Sequence, residues 1–283
     1  TLGVFSLGPA WLAGAKVRIL HGHNTTVKSE TKRNIMKMAL RPLSVFVANR
    51  HFACSKTAAC WLYGSDKDSQ IINNAIDVEC FQYKEETSQS LRRELGLEDK
   101  FVIGHIGRFV YQKNHAYLIR LFYQVAKQLP SSHLVLVGDG PLRESVLDQL
   151  KSLDLFERVT YLGLRNDIYR LYSLFDVFYF PSWYEGLGVV AIESQAAKLP
   201  ILMSNFVPDE AIIDSSLVKH IGITDEDIDI WINETKRIYN DINQLHDGAN
   251  PRIGINNCIN TEGYNIQLEA KRLEELYCEY SKG

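Results

Sequence analysis

The sequence predicts an α/β fold built on parallel sheets, and three observations carry that expectation. From Lys100 onward, short apolar runs alternate with amphipathic helical stretches. The runs are nearly continuous in hydrophobic residues, as strands covered on both faces should be. Gly107, Gly138 and Gly163 close three of them, where strands would turn into helices. Repeated units of this length describe a doubly wound sheet, with ligands expected outside the carboxyl ends of its strands.

Taken in order, Val17-Arg-Ile-Leu20 reads as a strand ending in His21-Gly-His-Asn24, and Lys28 to Leu40 as a helix. Val45-Phe-Val-Ala48, Phe52-Ala-Cys-Ser55 and Gln70-Ile-Ile-Asn73 read as further short strands. This stretch amounts to half of a Rossmann-type domain, so residues 1–80 are expected to form a partial N-terminal domain. Asn74 to Thr87, closing in the polar run Glu85-Glu86-Thr87-Ser88, reads as the interdomain link. A second Rossmann-like domain follows over 81–265. Its strands are Phe101–Gly107, His133–Gly138, Val159–Gly163, Val177–Phe180 and Ile201–Ser204. Leu118, Phe122, Val125 and Leu129 recur at helical spacing, as do Leu142, Val146, Leu150 and Leu153. After Asn205 the pattern is irregular, then mainly helical from Asp225 to the end, with 266–283 as a terminal helix.

Bulk properties narrow the function classes. A chain of 283 residues makes two domains the expectation, and 46% hydrophobic with 23% charged residues is ordinary for a globular enzyme. A net charge of -3 and pI of about 6.2 argue against nucleic acid as a partner. Cys54, Cys60, Cys80, Cys258 and Cys278 show no CxxC spacing, which fits reduced thiols in a cytosolic protein better than disulfides or zinc. No apolar run approaches the roughly 18 residues of a membrane span.

Four segments fall at the carboxyl ends of the expected strands. Gly107-Arg108-Phe-Val-Tyr-Gln-Lys113-Asn114 places a guanidinium and an ammonium on one loop, a pairing suited to a diphosphate and equally compatible with two solvated surface charges. Gly138-Asp139-Gly140-Pro141 allows close approach by a ligand, with Pro141 in the first turn of a helix; alone it reads as a plain turn. Gly163-Leu164-Arg165-Asn166-Asp167 offers backbone groups to the edge of a base, or simply a helix cap at Asn166 or Asp167. The fourth, Pro181-Ser-Trp-Tyr-Glu185-Gly186-Leu187-Gly188-Val-Val-Ala-Ile-Glu193, is the specific one. On a single helix, eight residues would turn the two glutamates roughly 80° apart. A loop instead lets Glu185 point into the site while the amides of Gly186 to Gly188 face an anion at the helix N-terminus. Two carboxylates beside a phosphate site suit sugar hydroxyls.

These motifs, with Gly104-His-Ile-Gly-Arg-Phe, Gln112-Lys-Asn, Val137-Gly-Asp-Gly-Pro and Glu193-Ser-Gln-Ala-Ala, resemble family 4 of the retaining glycosyltransferases, the glycosyl transferases of group 1. Within that family the chain is similar to bacterial exopolysaccharide and capsular polysaccharide enzymes. The resemblance runs from about Val17 to the end. It implies a GT-B fold of two Rossmann-like domains facing across a cleft, the first incomplete here. It implies that Arg108 and Lys113 hold the donor diphosphate, Glu193 the ribose hydroxyls and Glu185 the transferred sugar. Gly107, Gly138 and Gly163 to Asn166 would line the nucleotide pocket. His21 or His23 would stand near donor sugar and acceptor. The run Asn73-Asn74-Ala-Ile-Asp77 would open the second domain, and the last helix would cross back to brace the first. The family's opening strand and glycine-bearing acceptor loop have no expected counterpart before Val17.

The implied function is metal-independent transfer of a sugar from a nucleotide-sugar, a UDP-sugar by the family's habit, to a glycan or lipid-linked acceptor in polysaccharide synthesis. No cofactor is expected, no metal ligand set is spaced for one, and no Asp-x-Asp follows an expected strand. Two other classes fit parts of this pattern: a nucleotide-sugar-binding module without transfer, and a nucleotide-sugar epimerase of the same architecture, against which the Glu185/Glu193 spacing argues. His21 and His23 also read as ordinary polar residues at a strand end, and His105 as a satisfied core histidine. Residues 28–50 mix Lys28, Lys32, Arg33, Lys37, Arg41 and Arg50 with Ile35, Met36, Met38, Leu40, Leu43 and Phe46. That composition reads either as a plain surface helix or as a contact with the inner face of the plasma membrane.

Overall fold

The protein is described here from a computed structural model covering residues 3–23, 31–244, 252 and 263–282. The chain divides into two compact units, Thr1–Ile76 with Gly263–Gly283, and Asp77–Glu262.

The first unit holds α1 (Val4–Leu12), β1 (Ile19–Gly22), α2 (Thr31–Val47), β2 (Arg50–Ala53), α3 (Lys56–Tyr63), β3 (Gln70–Ile71) and, from the chain's far end, a helix over Ile266–Lys282. Its three strands are parallel in the order β1-β2-β3, with Ile19 opposite Arg50 and Phe52 opposite Gln70. Val45 to Val47 belong to α2, where a strand was expected. Ser44 and Val47 are buried three residues apart and the Ser44 hydroxyl donates to Leu40 O, so the apolar run continues a helical stripe. β1 and β2 each sit two residues from their expected registers, and residues 28–30 of the expected helix lie outside the described residues. The terminal helix is tied in by an Ile76–Asn265 bridge, by Arg272 Nη1 donating to Ile71 O at 3.0 Å and by Tyr277 stacking on Phe52.

The second unit begins with α4 (Val78–Phe81) and α5 (Glu85–Leu95), in the stretch read from sequence as a link. α5 starts with Glu85 and Glu86 against the positive end of the helix and ends at Gly96, which takes the left-handed φ of 67°. The polar run is therefore a helix first turn. There follow β4 (Phe101–Ile106), α6 (His115–Gln128), β5 (Ser132–Val137), α7 (Arg143–Ser152), β6 (Val159–Tyr161), α8 (Ile168–Leu174), β7 (Val177–Phe180), α9 (Val189–Ala196), β8 (Ile201–Ser204), β9 (Val218–Ile221) and α10 (Ile228–Asn243). The terminal helix of the first unit is α11.

All six strands of this unit are parallel, in the order β6-β5-β4-β7-β8-β9. This is the Rossmann order, growing outward in both directions from a switch point between β4 and β7. Every residue of β4, β5, β7 and β8 is buried. Phe101, Ile103, Leu134, Leu136, Val177 and Tyr179 pack there with Leu118 and Phe122 of α6, Leu150 of α7 and Trp231 of α10. β9 was not anticipated: Val218-Lys-His-Ile carries two polar residues on an edge strand and lacks the continuous apolar run of the others. Among the described residues no helix is long and apolar enough to cross a membrane.

Candidate functional site

In a doubly wound sheet the crevice for ligands opens where neighbouring loops diverge, above the carboxyl ends at the switch point. Here those loops follow β4 and β7, and they contain Gly107–Asn114 and Pro181–Gly188.

The loop ends of β4, β5 and β6 meet closely. Gly138 has φ 128°, and a Cβ there would lie 2.1 Å from Gly107 O, so only glycine admits this backbone crossing. Gly138 N donates to Gly163 O at 2.8 Å. Above them opens a pocket of about 540 Å³ lined by Gly107, Arg108, Gly138, Asp139, Leu164 and Arg165, among others. Arg108 is exposed, and among the described residues its guanidinium makes no hydrogen bond or ion pair. Gly163 and Asn166, expected to line this pocket with Leu164 and Arg165, are not among its lining residues. Asp167 occupies the N-cap position of α8, yet its carboxylate does not cap the helix. It takes two 2.8 Å bonds from Arg165, which hold its carboxyl below the usual range.

Lys113 behaves differently from Arg108. Its Nζ lies 2.8 Å from Glu185 Oε1, the side chains being 15% and 7% exposed, and 4.8 Å from the centre of the Phe180 ring. Gln112 Nε2 donates to Glu185 Oε2 and to Tyr184 O, both at 3.0 Å. The two cations of this loop thus differ in their protein partners. Arg108 faces the pocket, and Lys113 is committed to a carboxylate.

The fourth motif divides as its spacing required. Glu185 is in the loop and Glu193 is inside α9. Gly188 is the N-cap of α9 with φ 85° and no side-chain cap, so the first-turn amides of that helix have no side-chain acceptor. Leu187 is buried, while Gly186 is part of the turn between Glu185 and the cap. Glu193 is 8% exposed and accepts a 2.5 Å bond from the Tyr172 hydroxyl through Oε2. Burial raises its pKa; the Tyr172 bond and the charge of Lys113 work in the opposite direction. Lys113 therefore acts on both glutamates.

Behind Lys113 lie His105 and His115, ring centroids 4.9 Å apart, with His115 stacked on Phe109. His105 Nδ1 donates to Tyr179 O at 2.9 Å, but its Nε2 has no partner among the described residues, so the expected satisfied core histidine is half satisfied. Neither nitrogen of His115 has one. Burial lowers the pKa of His105 to about 4 and of His115 to about 2.

His21 and His23 lie in the first unit, His21 within β1 and His23 just after it, with rings 4.1 Å apart. Burial and the neighbouring His23 lower the His21 pKa to about 4. One further sequence expectation is corrected: β9 puts Asp225-Glu-Asp227 after a strand end. Both aspartates are engaged, Asp225 with Arg120 at 3.1 Å and Asp227 with the Thr224 hydroxyl at 2.6 Å.

Sequence reasoning missed Tyr172 and Arg252. Tyr172 reaches Glu193 from α8, and Arg252 donates to Tyr172 O, Phe175 O and Ala197 O at 2.7 to 2.9 Å. No local pattern marks either, because both partners are distant in sequence. Gln112 stood inside a recognised motif, and its role follows from the fold alone.

Comparison with known proteins bears on this site. The chain is 32% identical over 235 residues to the putative glycosyltransferase EpsF of Bacillus subtilis (strain 168), covering 81% of this chain and 61% of that protein. It is 28% identical over 293 residues to the UDP-Gal:alpha-D-GlcNAc-diphosphoundecaprenol alpha-1,3-galactosyltransferase of Escherichia coli, covering 97% and 72%. The chain thus spans about three fifths to three quarters of the length of these relatives. Among solved structures, Anabaena Alr3699/HepE in complex with UDP superposes with a TM-score of 0.78 at 19% identity, over 98% of this chain and 76% of that one. The α/β fold, with its Rossmann-like parallel sheets, is shared with GT-B glycosyltransferases. The model of the glycosyl transferases group 1 matches residues 87–240, the span holding Arg108, Lys113, Glu185 and Glu193, and the chain belongs to that family.

Proposed function

We propose that this chain transfers a sugar from a UDP-sugar to a glycan or lipid-linked acceptor in the synthesis of a bacterial surface polysaccharide, with retention of anomeric configuration. The observation that carries the reading is the Lys113–Glu185 pair at the switch point, beside an open pocket that Arg108 faces with its guanidinium unpaired among the described residues. The second unit is the donor-binding domain in this reading, and the first, with His21 and His23, serves the acceptor.

In that arrangement the nucleoside fills the pocket over β6-β5-β4, with Leu164 against the base. Arg108 and the first-turn amides of α9 meet the diphosphate. Glu193 accepts hydrogen bonds from the ribose. Glu185, already oriented by Lys113 and Gln112, accepts them from the transferred sugar, and Lys113 neutralises charge growing on the leaving group. The bond from the anomeric carbon to the diphosphate oxygen breaks as the acceptor oxygen attacks from the same face. The acceptor proton passes to the departing diphosphate. Positive charge comes from side chains, so a divalent ion is not required. The UDP of the Anabaena complex and the lipid-diphosphate acceptor in the Escherichia coli enzyme's name support the choice of ligands.

Incubating the chain with labelled UDP-sugars and a polyprenyl-diphosphate sugar, in EDTA, tests this directly. Product should form, with the donor's anomeric configuration by NMR. Restoration by manganese alone would remove the metal-independent part, and an inverted product would remove retention. Binding without transfer would leave a donor-binding module, and interconversion of donors would make the chain an epimerase.

The same reading places the protein at the cytoplasmic face of the plasma membrane, where lipid-linked acceptors are met. Its support is the exposed apolar surface of α1 and α2, including Trp11, Leu12, Met38 and Phe46.

A further inference from the structure

Beyond the pocket and the Lys113–Glu185 pair, the carboxyl edge of the second sheet carries a group of rings that the proposed reaction does not use. Tyr111 follows β4, Trp183 follows β7 and Phe206 follows β8. The Tyr111 and Trp183 rings are parallel within 9°, with centroids 6.1 Å apart, and Phe206 lies 6.4 Å from Trp183. Tyr111 is 61% exposed and Phe206 53%. Rings in the sheet interior are buried completely, so these stand out as apolar surface kept in water at the rim of a polar site.

The loops that bear them are tied together. Trp183 N donates to Gln112 O at 2.9 Å, the Ser204 hydroxyl to Ser182 O at 2.6 Å, and Phe206 N to the Ser204 oxygen at 3.3 Å. A surface fastened by hydrogen bonds loses little freedom when a ligand arrives. Its rim is polar and specific: Gln112 and Lys113 are the next two residues after Tyr111, and Glu185 is two residues beyond Trp183.

We infer that Tyr111, Trp183 and Phe206 form a platform for a saccharide ring, the sugar of the acceptor that receives the transferred residue. A pyranose has an apolar C–H face and a hydroxyl-bearing edge, which matches rings bordered by a carboxylate, an amide and an ammonium. A nucleobase is disfavoured because the pocket over β6-β5-β4 lies on the opposite side of the switch point, with Leu164 78% exposed at its lip. A lipid chain is disfavoured because the partly buried Lys113–Glu185 pair would be desolvated beside it. Along the edge of the sheet the order becomes nucleoside pocket, charged pair, aromatic platform. That is the order of parts in a donor sugar meeting an acceptor sugar. The assignment of the ring to the acceptor rests on the donor-site reading above; the platform's affinity for saccharide does not.

Saturation-transfer NMR on the full chain, with and without saturating UDP, tests it. The probes are the methyl glycosides of glucose, galactose and N-acetylglucosamine, together with chitotriose. Saturation should reach the ring C–H protons of at least one probe and fall about threefold or more in Tyr111→Ala and Phe206→Ala, both exposed positions. Tyr111→Phe should retain it, since the ring and not the hydroxyl makes the contact. UDP affinity by calorimetry should stay within error in all three. No transfer to any probe, or transfer unchanged in both alanine variants, overturns the platform. UDP affinity lost in both alanine variants assigns the rings to the nucleotide and overturns it as well. Native protein that binds saccharide but not UDP would keep the platform and remove the donor-site reading.

Discussion

Glu185 and Glu193 carry the same carboxylate into different surroundings, and that difference sets their expected effects. Glu193 is buried and held by Tyr172 through one oxygen, and in the proposed pose a carboxylate oxygen accepts from the ribose. Glu193→Gln should weaken UDP binding by roughly 1.5–3 kcal/mol, the range for a hydrogen bond to a charged group. Glu185→Gln should leave UDP affinity nearly intact and weaken the intact UDP-sugar. Arg108→Ala should reduce affinity for UDP far more than for uridine. One calorimetric series covers all three, and the reverse ordering of the two glutamates would exchange their assignments. The histidines behind Lys113 give a prediction about stability. His105 and His115 are neutral when folded, with pKa values near 4 and 2, and burial is the first cause in each. Unfolded, each would titrate near 6.5. Between those values the unfolded chain binds protons that the folded chain does not, so this stability is complete above about pH 6.5 and lost as the pH falls toward 4. The urea midpoint should therefore be lower at pH 5 than at pH 7.5. His115→Phe, which preserves the stack on Phe109, should flatten that slope; an unchanged slope would assign the acid sensitivity elsewhere.

Among the elements, the turn from β5 into α7 tests how tightly the site is built. Gly138 has a backbone that side chains rarely adopt, and its missing Cβ is the room taken by Gly107 O. Gly138→Ala should destabilise the protein by at least about 2 kcal/mol from strain, read as a lower urea midpoint. UDP affinity should fall too, because the pocket floor moves; a variant as stable as the native chain would mean the crossing is not this close in solution. The elements also show where local patterns were sufficient. β4, β5, β7 and β8 are wholly buried, and a strand covered on both faces leaves a continuous apolar run that can be read directly. β9 sits at the edge with Lys219 and His220, and that run is absent. Val45 to Val47 formed such a run and are helical, because a short apolar stretch has no period of its own and the helix before it continues.

At the scale of the whole molecule, charge is divided unevenly along the chain. Glu30 is the sole acidic residue among 1–64, where nine residues are Lys or Arg, although the chain carries a net -3. Exposed Trp11, Leu12, Met38, Leu43 and Phe46 lie within the same stretch, with Trp11 and Phe46 in edge-to-face contact at 5.9 Å. Basic charge with exposed apolar side chains suits an anionic lipid surface. The protein should sediment with vesicles of phosphatidylglycerol and not with phosphatidylcholine alone. That binding should weaken as salt rises, since charges on the surface are screened within about 3 Å at 1 M salt. Phe46→Glu should reduce it. Equal binding to both vesicles would remove the electrostatic part, and no binding to either would remove the membrane contact.

The sequence by itself determined the parallel α/β class, the strands of the second unit's interior and the separation of Glu185 in a loop from Glu193 in a helix. Each follows from neighbours along the chain: burial on both faces writes a continuous apolar run, and glycines permit a turn. The tertiary structure decided the partners. Lys113 could have faced the pocket with Arg108, and instead pairs with a glutamate from the loop after β7. Glu193 depends on Tyr172 from α8, and Tyr172 on Arg252 from beyond α10. These pairings join residues far apart in sequence, and they arise because β4 and β7, separated by two strand–helix units, lie side by side in the sheet. A local pattern records what a residue needs, such as a turn or burial. Which group meets that need is settled by the order of strands, which no single stretch of sequence contains.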